Sequence, residues 1–294
     1  MSLSLRKVAI AARNQAVYRQ HSFWARVTRR PFPLDSASDF VVTMASYPGR
    51  IHQVPAVFES LARQAVRPKK AYLVLADEEF PDHKVPQGIE RLSDRGIEIV
   101  WSRKNPFAVK KLVEVWPRNP GCSIAVFDDD FIYAPDVLQV LHKHASGRAN
   151  SVLGFIGKEM LRRGESLSRD CRKSAAFEES EFPSRLRLHG GLGTWYQPGS
   201  LDERFLNRDA FTSIVPGRGS DMWFWAAAVA AGSPQVCLAR YRHSKMFIPI
   251  PETERSRPRD LPGFAAMESR FQRTIDYFGI REKLIQELRD VRTV

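Results

Sequence analysis

The chain is poor in cysteine. Its 294 residues hold three, Cys122, Cys171 and Cys237, odd in number, far apart and without CxxC spacing. That pattern excludes a disulfide framework or a zinc cage and leaves reduced thiols as the expectation. Long apolar runs are missing too: none approaches the roughly 20 residues that span a bilayer. No secretory leader is visible, so the sequence reads as cytoplasmic. Glycine-rich phosphate loops are lacking. Nothing matches GxGxxG or a P-loop, which argues against a dinucleotide or NTPase site. No helix-turn-helix, zinc-finger, RNP or KH signature is present, and the expectation is no nucleic-acid partner. There is no internal repeat and no clean interdomain linker.

Acid is lacking in one place. Residues 1–34 carry Arg6, Lys7, Arg13, Arg19, Arg26, Arg29 and Arg30 but no Asp or Glu, interleaved with Leu3, Leu5, Val8, Ile10, Val17, Tyr18, Phe23, Trp24 and Val27. Such a segment suits a basic amphipathic helix lying on an anionic membrane surface, here the inner face of the cell membrane. A helix packed on the domain and a disordered basic tail are the alternatives. Pro31-Phe32-Pro33 separates the segment from the rest of the chain. The net charge of +12 attracts polyanions, but charge alone does not choose between nucleic acid, membrane and phosphorylated small molecules.

The stretch the chain is organised around is Ser123-Ile124-Ala125-Val126-Phe127 running into Asp128-Asp129-Asp130. A continuous apolar run of this length suits a strand buried on both faces of a sheet. Three carboxylates at its end repel one another unless a cation or a cluster of donors sits among them. Ligands of open α/β sheets bind at strand carboxyl ends, and Mg²⁺ or Mn²⁺ takes carboxylate oxygens while sharing itself with substrate phosphates. The residues therefore point to a metal–diphosphate site. Solvated acids capping a helix opened by Pro135 are the alternative.

Further strands are expected over 39–45, 70–76 and 97–101, with helices over 51–64, 87–95 and 107–116 between them. This alternation implies an α/β protein built on a mostly parallel, Rossmann-like sheet flanked by helices. Four strand ends then share one edge: Ser46-Tyr47-Pro48-Gly49-Arg50, Asp77-Glu78, Ser102-Arg103 and the acid triplet. Beyond it come a helix over 135–146, a strand over 152–156 and a charged stretch, 157–188, that reads as a mobile loop. In His189-Gly190-Gly191-Leu192-Gly193-Thr194-Trp195-Tyr196 the glycines imply close approach of backbone to a ligand or another strand. A helix runs from Ser220, a good N-cap, to about Ala231. A Pro- and Arg-rich connector and a helical region interrupted near Gly279 close the chain. The expected division is 1–34, 35–248 and 249–294.

With these pieces in order, the chain resembles the GT-A-fold glycosyltransferases, in a bacterial branch near the family-2 enzymes. The resemblance rests on Thr43-Met44-Ala45-Ser46-Tyr47-Pro48-Gly49-Arg50-Ile51, Ser60-Leu61-Ala62-Arg63-Gln64 with Pro68, Lys110-Lys111-Leu112, the acid triplet and Ser220-Asp221-Met222-Trp223-Phe224, and covers about residues 39–245. It implies transfer of sugar from a UDP- or GDP-sugar to an acceptor hydroxyl on a glycan or lipid-linked glycan, with Mg²⁺ or Mn²⁺ on the diphosphate. It implies further that Asp128 faces the ribose or the metal, that Asp130 binds the metal, and that Asp129 is a nucleotide-sugar contact, although the middle residue of such motifs often points away. Ser46, Tyr47, Pro48 and Arg50 would hold the nucleotide, with Asp77 or Glu78 on a base N–H or ribose hydroxyl and Lys110 or Lys111 on the diphosphate or base. Asp221 would be the general base of an inverting transfer, and His243 a third metal ligand. Trp195, Tyr196 and Trp223 could offer flat faces to sugar rings, although aromatics in such settings are more often core. The family commonly has two acids where this chain has Ser220-Asp221, which leaves Asp221 the local choice. The rival classes are a haloacid-dehalogenase-like phosphotransferase or phosphatase, whose acids sit near the chain start and are followed by small residues, and a non-enzymatic basic nucleic-acid- or membrane-binding protein. Phe131-Ile132 after the triplet disfavour the first, and carboxylates that repel phosphate disfavour nucleic acid.

Overall fold

A computed structural model describes residues 3–163, 166–174, 184, 186–243, 245–251 and 264–289. In chain order, α1 spans Leu3–Val27, β1 Phe40–Ala45, α2 Val54–Leu61, β2 Ala71–Ala76, α3 Gln87–Asp94, β3 Glu98–Ser102, α4 Lys110–Val113, β4 Ser123–Phe127, β5 Phe131–Tyr133, α5 Val137–Ala145 and β6 Val152–Gly154. Next come β7 Gly157–Arg163, β8 Ser166–Ser174, β9 Leu186–Leu188, β10 Leu192–Tyr196, α6 Arg208–Ile214, α7 Ser220–Ala230, β11 Gln235–Cys237, β12 Phe247–Pro249, α8 Phe264–Tyr277 and α9 Arg281–Arg289.

The main sheet has seven strands in the order β11-β6-β10-β4-β1-β2-β3. β1 pairs in parallel with both β2 and β4, β2 with β3 and β6 with β11, while β10 runs antiparallel to its two neighbours. The expected mostly parallel α/β sheet is therefore present. β1, β2 and β4 lie inside it, and burial on both faces explains their nearly unbroken apolar sequences. Successive side chains go to opposite faces. Val41, Val74, Ile124 and Val126 join α7 and α8 in one core, whereas Val42, Met44, Leu73, Leu75 and Phe127 join α2 and α5 in the other. Met267, Phe271, Ile275 and Leu284 of α8 and α9 belong to the first core, with Phe271 stacked on Trp225 at 5.9 Å.

The strand order puts β2 and β3 on one side of β1 and β4 on the other. The crevice between the carboxyl ends of β1 and β4 is thus the topological switch point, where open sheets of this kind take ligands. β5 leaves the sheet directly after the acid triplet and pairs with β12 in a small antiparallel ribbon.

Three expectations are corrected. Much of 157–188 forms strands: β7 pairs antiparallel with β8 and with β9 in a separate sheet. The charged residues in β7 and β8 break up the apolar alternation by which a strand is recognised. Residues 175–183 of that stretch, like most of the Pro- and Arg-rich connector, lie outside the described residues. The helix expected over 107–116 is only the single turn of α4 between 3₁₀ turns, because Pro106 and Pro117 confine it. The N-cap of α7 is Gly219 at φ 123° rather than Ser220, a backbone conformation that glycine adopts without a Cβ clash. Among the described residues no helix is long and apolar enough to cross a membrane.

Candidate active site at the sheet switch point

The acid triplet is held from both sides of the crevice. Ser46, the first residue past β1, donates from Oγ to Asp129 Oδ2 at 2.6 Å. The chain then turns at Tyr47-Pro48-Gly49-Arg50, with the amides of Arg50 and Ile51 both donating to the Tyr47 carbonyl at 2.9 Å. This turn brings Arg50 back over the Tyr47 ring, its guanidinium carbon 5.7 Å from the ring centroid. Arg50 Nη1 reaches Asp129 Oδ1 and Asp130 Oδ2, each at 2.9 Å. Lys111, whose side chain is 4% exposed, donates from Nζ to Asp128 Oδ1 at 2.8 Å. The mutual repulsion of three consecutive carboxylates is therefore relieved by two organic cations and a hydroxyl.

Those partners set the protonation balance. The surrounding protein by itself raises the Asp128 carboxyl, but the Lys111 ammonium prevails and holds it below the usual carboxylate range. Asp129, more deeply enclosed, is raised by burial in spite of Arg50 and Ser46. Burial works to lower Lys111, yet Asp128 and then Asp221 hold its ammonium above the ordinary lysine value. Lys110 shows the reverse result, lowered by burial although it donates to Glu79 Oε2 at 2.9 Å. The consecutive lysines thus serve different strand ends, Lys111 the end of β4 and Lys110 the end of β2. Asp77 itself is engaged by His83 at 3.1 Å, and Glu78 accepts the Asn105 amide at 3.3 Å.

The glycine turn before β10 closes the crevice from the opposite side. A Cβ on Gly191 would stand 1.9 Å from Asp128 Oδ1, and one on Gly190 would stand 2.8 Å from Asp221 Oδ1. Two adjacent residues without side chains therefore separate the acid at the end of β4 from the acid in the first turn of α7. The close backbone approach expected at these glycines is present, and its partners are the two carboxylates. His189 Nδ1 lies 3.7 Å from Asp221 Oδ2. Beneath the turn, the Tyr133 hydroxyl accepts the Asp128 amide at 2.9 Å and has the carbonyls of Asp128 and Gly191 within reach, at 3.0 and 3.2 Å.

Sequence reasoning singles out neither His189 nor Tyr133. Tyr133 leaves a usable signal, since a tyrosine buried just after the triplet needs a partner for its hydroxyl. Glu79 is likewise overlooked in favour of its neighbours Asp77 and Glu78.

Three of the expected site residues, His243, Trp195 and Trp223, sit elsewhere, and a fourth, Tyr196, is buried beneath the glycine turn. His243 pairs through Nε2 with Asp136 at 3.1 Å. It lies beyond the Tyr133 end of β5, whereas Asp130 precedes the other end, so the ribbon of β5 and β12 separates it from the triplet. Trp195 and Trp223 have no face open to a sugar. Trp195 packs on Phe40 at 4.8 Å, and Trp223 on Tyr277 and Phe278 at 5.1 and 4.8 Å with its indole N–H donated to the Phe205 carbonyl. Tyr196 is buried as well, and its hydroxyl is 3.5 Å from where a Gly190 Cβ would be.

Among the described residues no three His, Cys, Asp or Glu side chains gather into a closed metal cage. Asp128 and Asp130 are nevertheless of the residue type that could hold a hard divalent cation beside a nucleotide, where one or two carboxylates suffice with phosphate and water completing the shell.

No family model and no curated protein matches the chain. Among solved structures it is similar to S. aureus TarS 1-349, at 16% identity over 71% of this chain and 59% of that one, with a TM-score of 0.45. It is also similar to the mannosyltransferase PcManGT from Pyrobaculum calidifontis in complex with GDP-Man and Mn²⁺, at 11% identity over 96% and 83% of the two chains, again with a TM-score of 0.45. The chain thus spans less than two thirds of the TarS structure, and likeness of this degree assigns no activity to it.

Proposed function

We propose that the chain is a GT-A-like glycosyltransferase moving a sugar from a UDP- or GDP-sugar to an acceptor hydroxyl on a glycan or lipid-linked glycan, with inversion. The observation that carries this reading is the pair of carboxylates on either side of Gly190-Gly191 at the switch point. One, Asp128, is bound to a buried lysine. The other, Asp221, is 39% exposed and has no cation at comparable distance among the described contacts. A transfer of this kind needs both: positive charge beside the departing diphosphate and a free carboxylate toward the acceptor.

In this reading the nucleotide lies across the ends of β1 and β2, against Tyr47, Pro48 and the Asp77–Glu79 turn. Lys111 and Arg50 face the diphosphate and offset the charge that grows on it as the glycosidic bond breaks. A Mn²⁺ or Mg²⁺ ion held by Asp128 and Asp130 would supply further neutralisation of that leaving group. Asp221 takes the proton from the acceptor hydroxyl as the new bond forms, and His189 orients the Asp221 carboxylate. Tyr133 and the glycine turn fix the position of Asp128. The catalytic unit is residues 35–248, and the product belongs to surface polysaccharide or glycan synthesis.

Release of nucleoside diphosphate from UDP- and GDP-sugars, measured with and without Mn²⁺, tests the reading. Metal-stimulated release with one of the two donors is expected. Release of inorganic phosphate from simple phosphate esters, with no nucleotide-sugar turnover, would favour a phosphatase instead.

A further inference from the structure

α1 is apolar on two opposite sides. Its inner side carries Asn14, Val17, Tyr18, His21 and Ala25 at helical spacing. Asn14 and Ala25 are buried, and Val17 and Tyr18 pack on the core beside α2. At 3.6 residues per turn the side diametrically opposite carries Leu5, Ala9, Ala12, Ala16, Phe23 and Val27, with Val8 alongside. This outer stripe runs about 33 Å along the helix at 1.5 Å per residue. Among the described residues nothing covers it: Leu5 is 59% exposed, Val8 63%, Phe23 57% and Val27 47%. From Leu5 to Arg13 the helix is exposed all round, so its first turns stand clear of the domain. The expectation of a simple amphipathic helix is thereby corrected: apolar residues occupy both sides, one spent on the fold and one left over.

We propose that the outer stripe of α1 docks onto an anionic lipid surface. Charge selects that occupant. Arg13 lies on one shoulder of the stripe and Arg19 and Arg26 on the other, with Arg6 and Lys7 near its free end, and all five are exposed. Residues 1–34 contain no acid to answer them. A second copy of the chain meeting stripe to stripe would set arginine against arginine. Anionic headgroups instead complement both shoulders while Leu5, Val8, Phe23 and Val27 enter the acyl boundary and the arginine stems extend along it. The helix would then lie in the interface plane with its inner side still docked on α2, bringing the domain against the membrane without spanning it. This inference does not depend on the transferase reading.

Co-sedimentation of the full chain with phosphatidylcholine vesicles, with and without phosphatidylserine, tests it. The wild type is expected to bind the phosphatidylserine-containing vesicles, less so as salt screens the arginines. Leu5→Ser/Phe23→Ser is expected to weaken that binding by at least about tenfold, since each removed side chain forfeits its full burial. Its melting temperature should not change, because both side chains are exposed in the fold. Arg19→Gln/Arg26→Gln should lose the preference for phosphatidylserine. Three results would overturn the proposal: no vesicle binding by the wild type, equal binding by the Leu5→Ser/Phe23→Ser variant, or a wild-type dimer in sedimentation equilibrium that this variant abolishes, which would make the occupant a second copy.

Discussion

Gly191 and Asp128 approach so closely that no side chain fits between them: a Cβ at position 191 would be 1.9 Å from Asp128 Oδ1 and 2.1 Å from its Cγ. The same carboxylate is fixed from the other side by Lys111 at 2.8 Å. The Gly191 backbone and Lys111 thus both lie directly against Asp128. Gly191→Ala is therefore expected to push the Asp128 carboxylate off Lys111. Displacement on the scale of 1 Å costs about 10²-fold in rate, so donor turnover should fall by that order. Position 191 is not among the glycines at positive φ, so the alanine backbone is unstrained and the variant should fold. Turnover and melting measured together check this, and unchanged turnover would mean that Asp128 has room to adjust.

Asp221 and His189 should separate chemistry from binding. Asp221→Asn keeps the size and hydrogen-bonding capacity of the side chain but takes no proton at neutral pH. Acceptor transfer is expected to fall by at least roughly 10²-fold with donor affinity retained, and stability by no more than about 0.3–1 kcal/mol through the helix dipole. His189→Gln should lower kcat less than Asp221→Asn does, again without weakening donor binding. Lost donor affinity in either variant would move that residue to the nucleotide side.

Trp223 is expected to matter for stability and not for sugar recognition. Its ring lies fully within the core between Phe211, Tyr277 and Phe278. Trp223→Ala should cost about 3–5 kcal/mol, the range for deleting a large buried aromatic. Denaturant titration measures it. A small stability loss with a raised KM for acceptor would contradict the burial.

Legibility in the sequence depends on which patterns are local. Buried parallel strands announce themselves as apolar runs, so β1, β2 and β4 and the acids that end β4 are legible, and with them the shared edge. The partners of those acids are not. Arg50 reads equally well as a nucleotide contact, and only the fold reveals that it joins Asp129 to Asp130. Trp195 and Tyr196 are consecutive in a strand and so face opposite sides. Period-two alternation finds an open face only where one side of the sheet meets solvent, and here both are covered. His189 gives no signal because its partner Asp221 arrives from a distant helix. The strands β7 and β8 escape notice because their charged residues carry no hydrophobic period.

If the acid triplet serves a nucleoside diphosphate with a divalent cation, nucleotide binding depends on that cation and on Asp130. Calorimetric titration of the full chain with UDP and with GDP, in the presence and absence of Mn²⁺ and repeated on Asp130→Asn, tests it most directly. One of the two nucleotides is expected to bind, more tightly with Mn²⁺, and Asp130→Asn to remove the gain from Mn²⁺ without unfolding the protein. Binding of neither nucleotide, or a Mn²⁺ gain undiminished in Asp130→Asn, would contradict it.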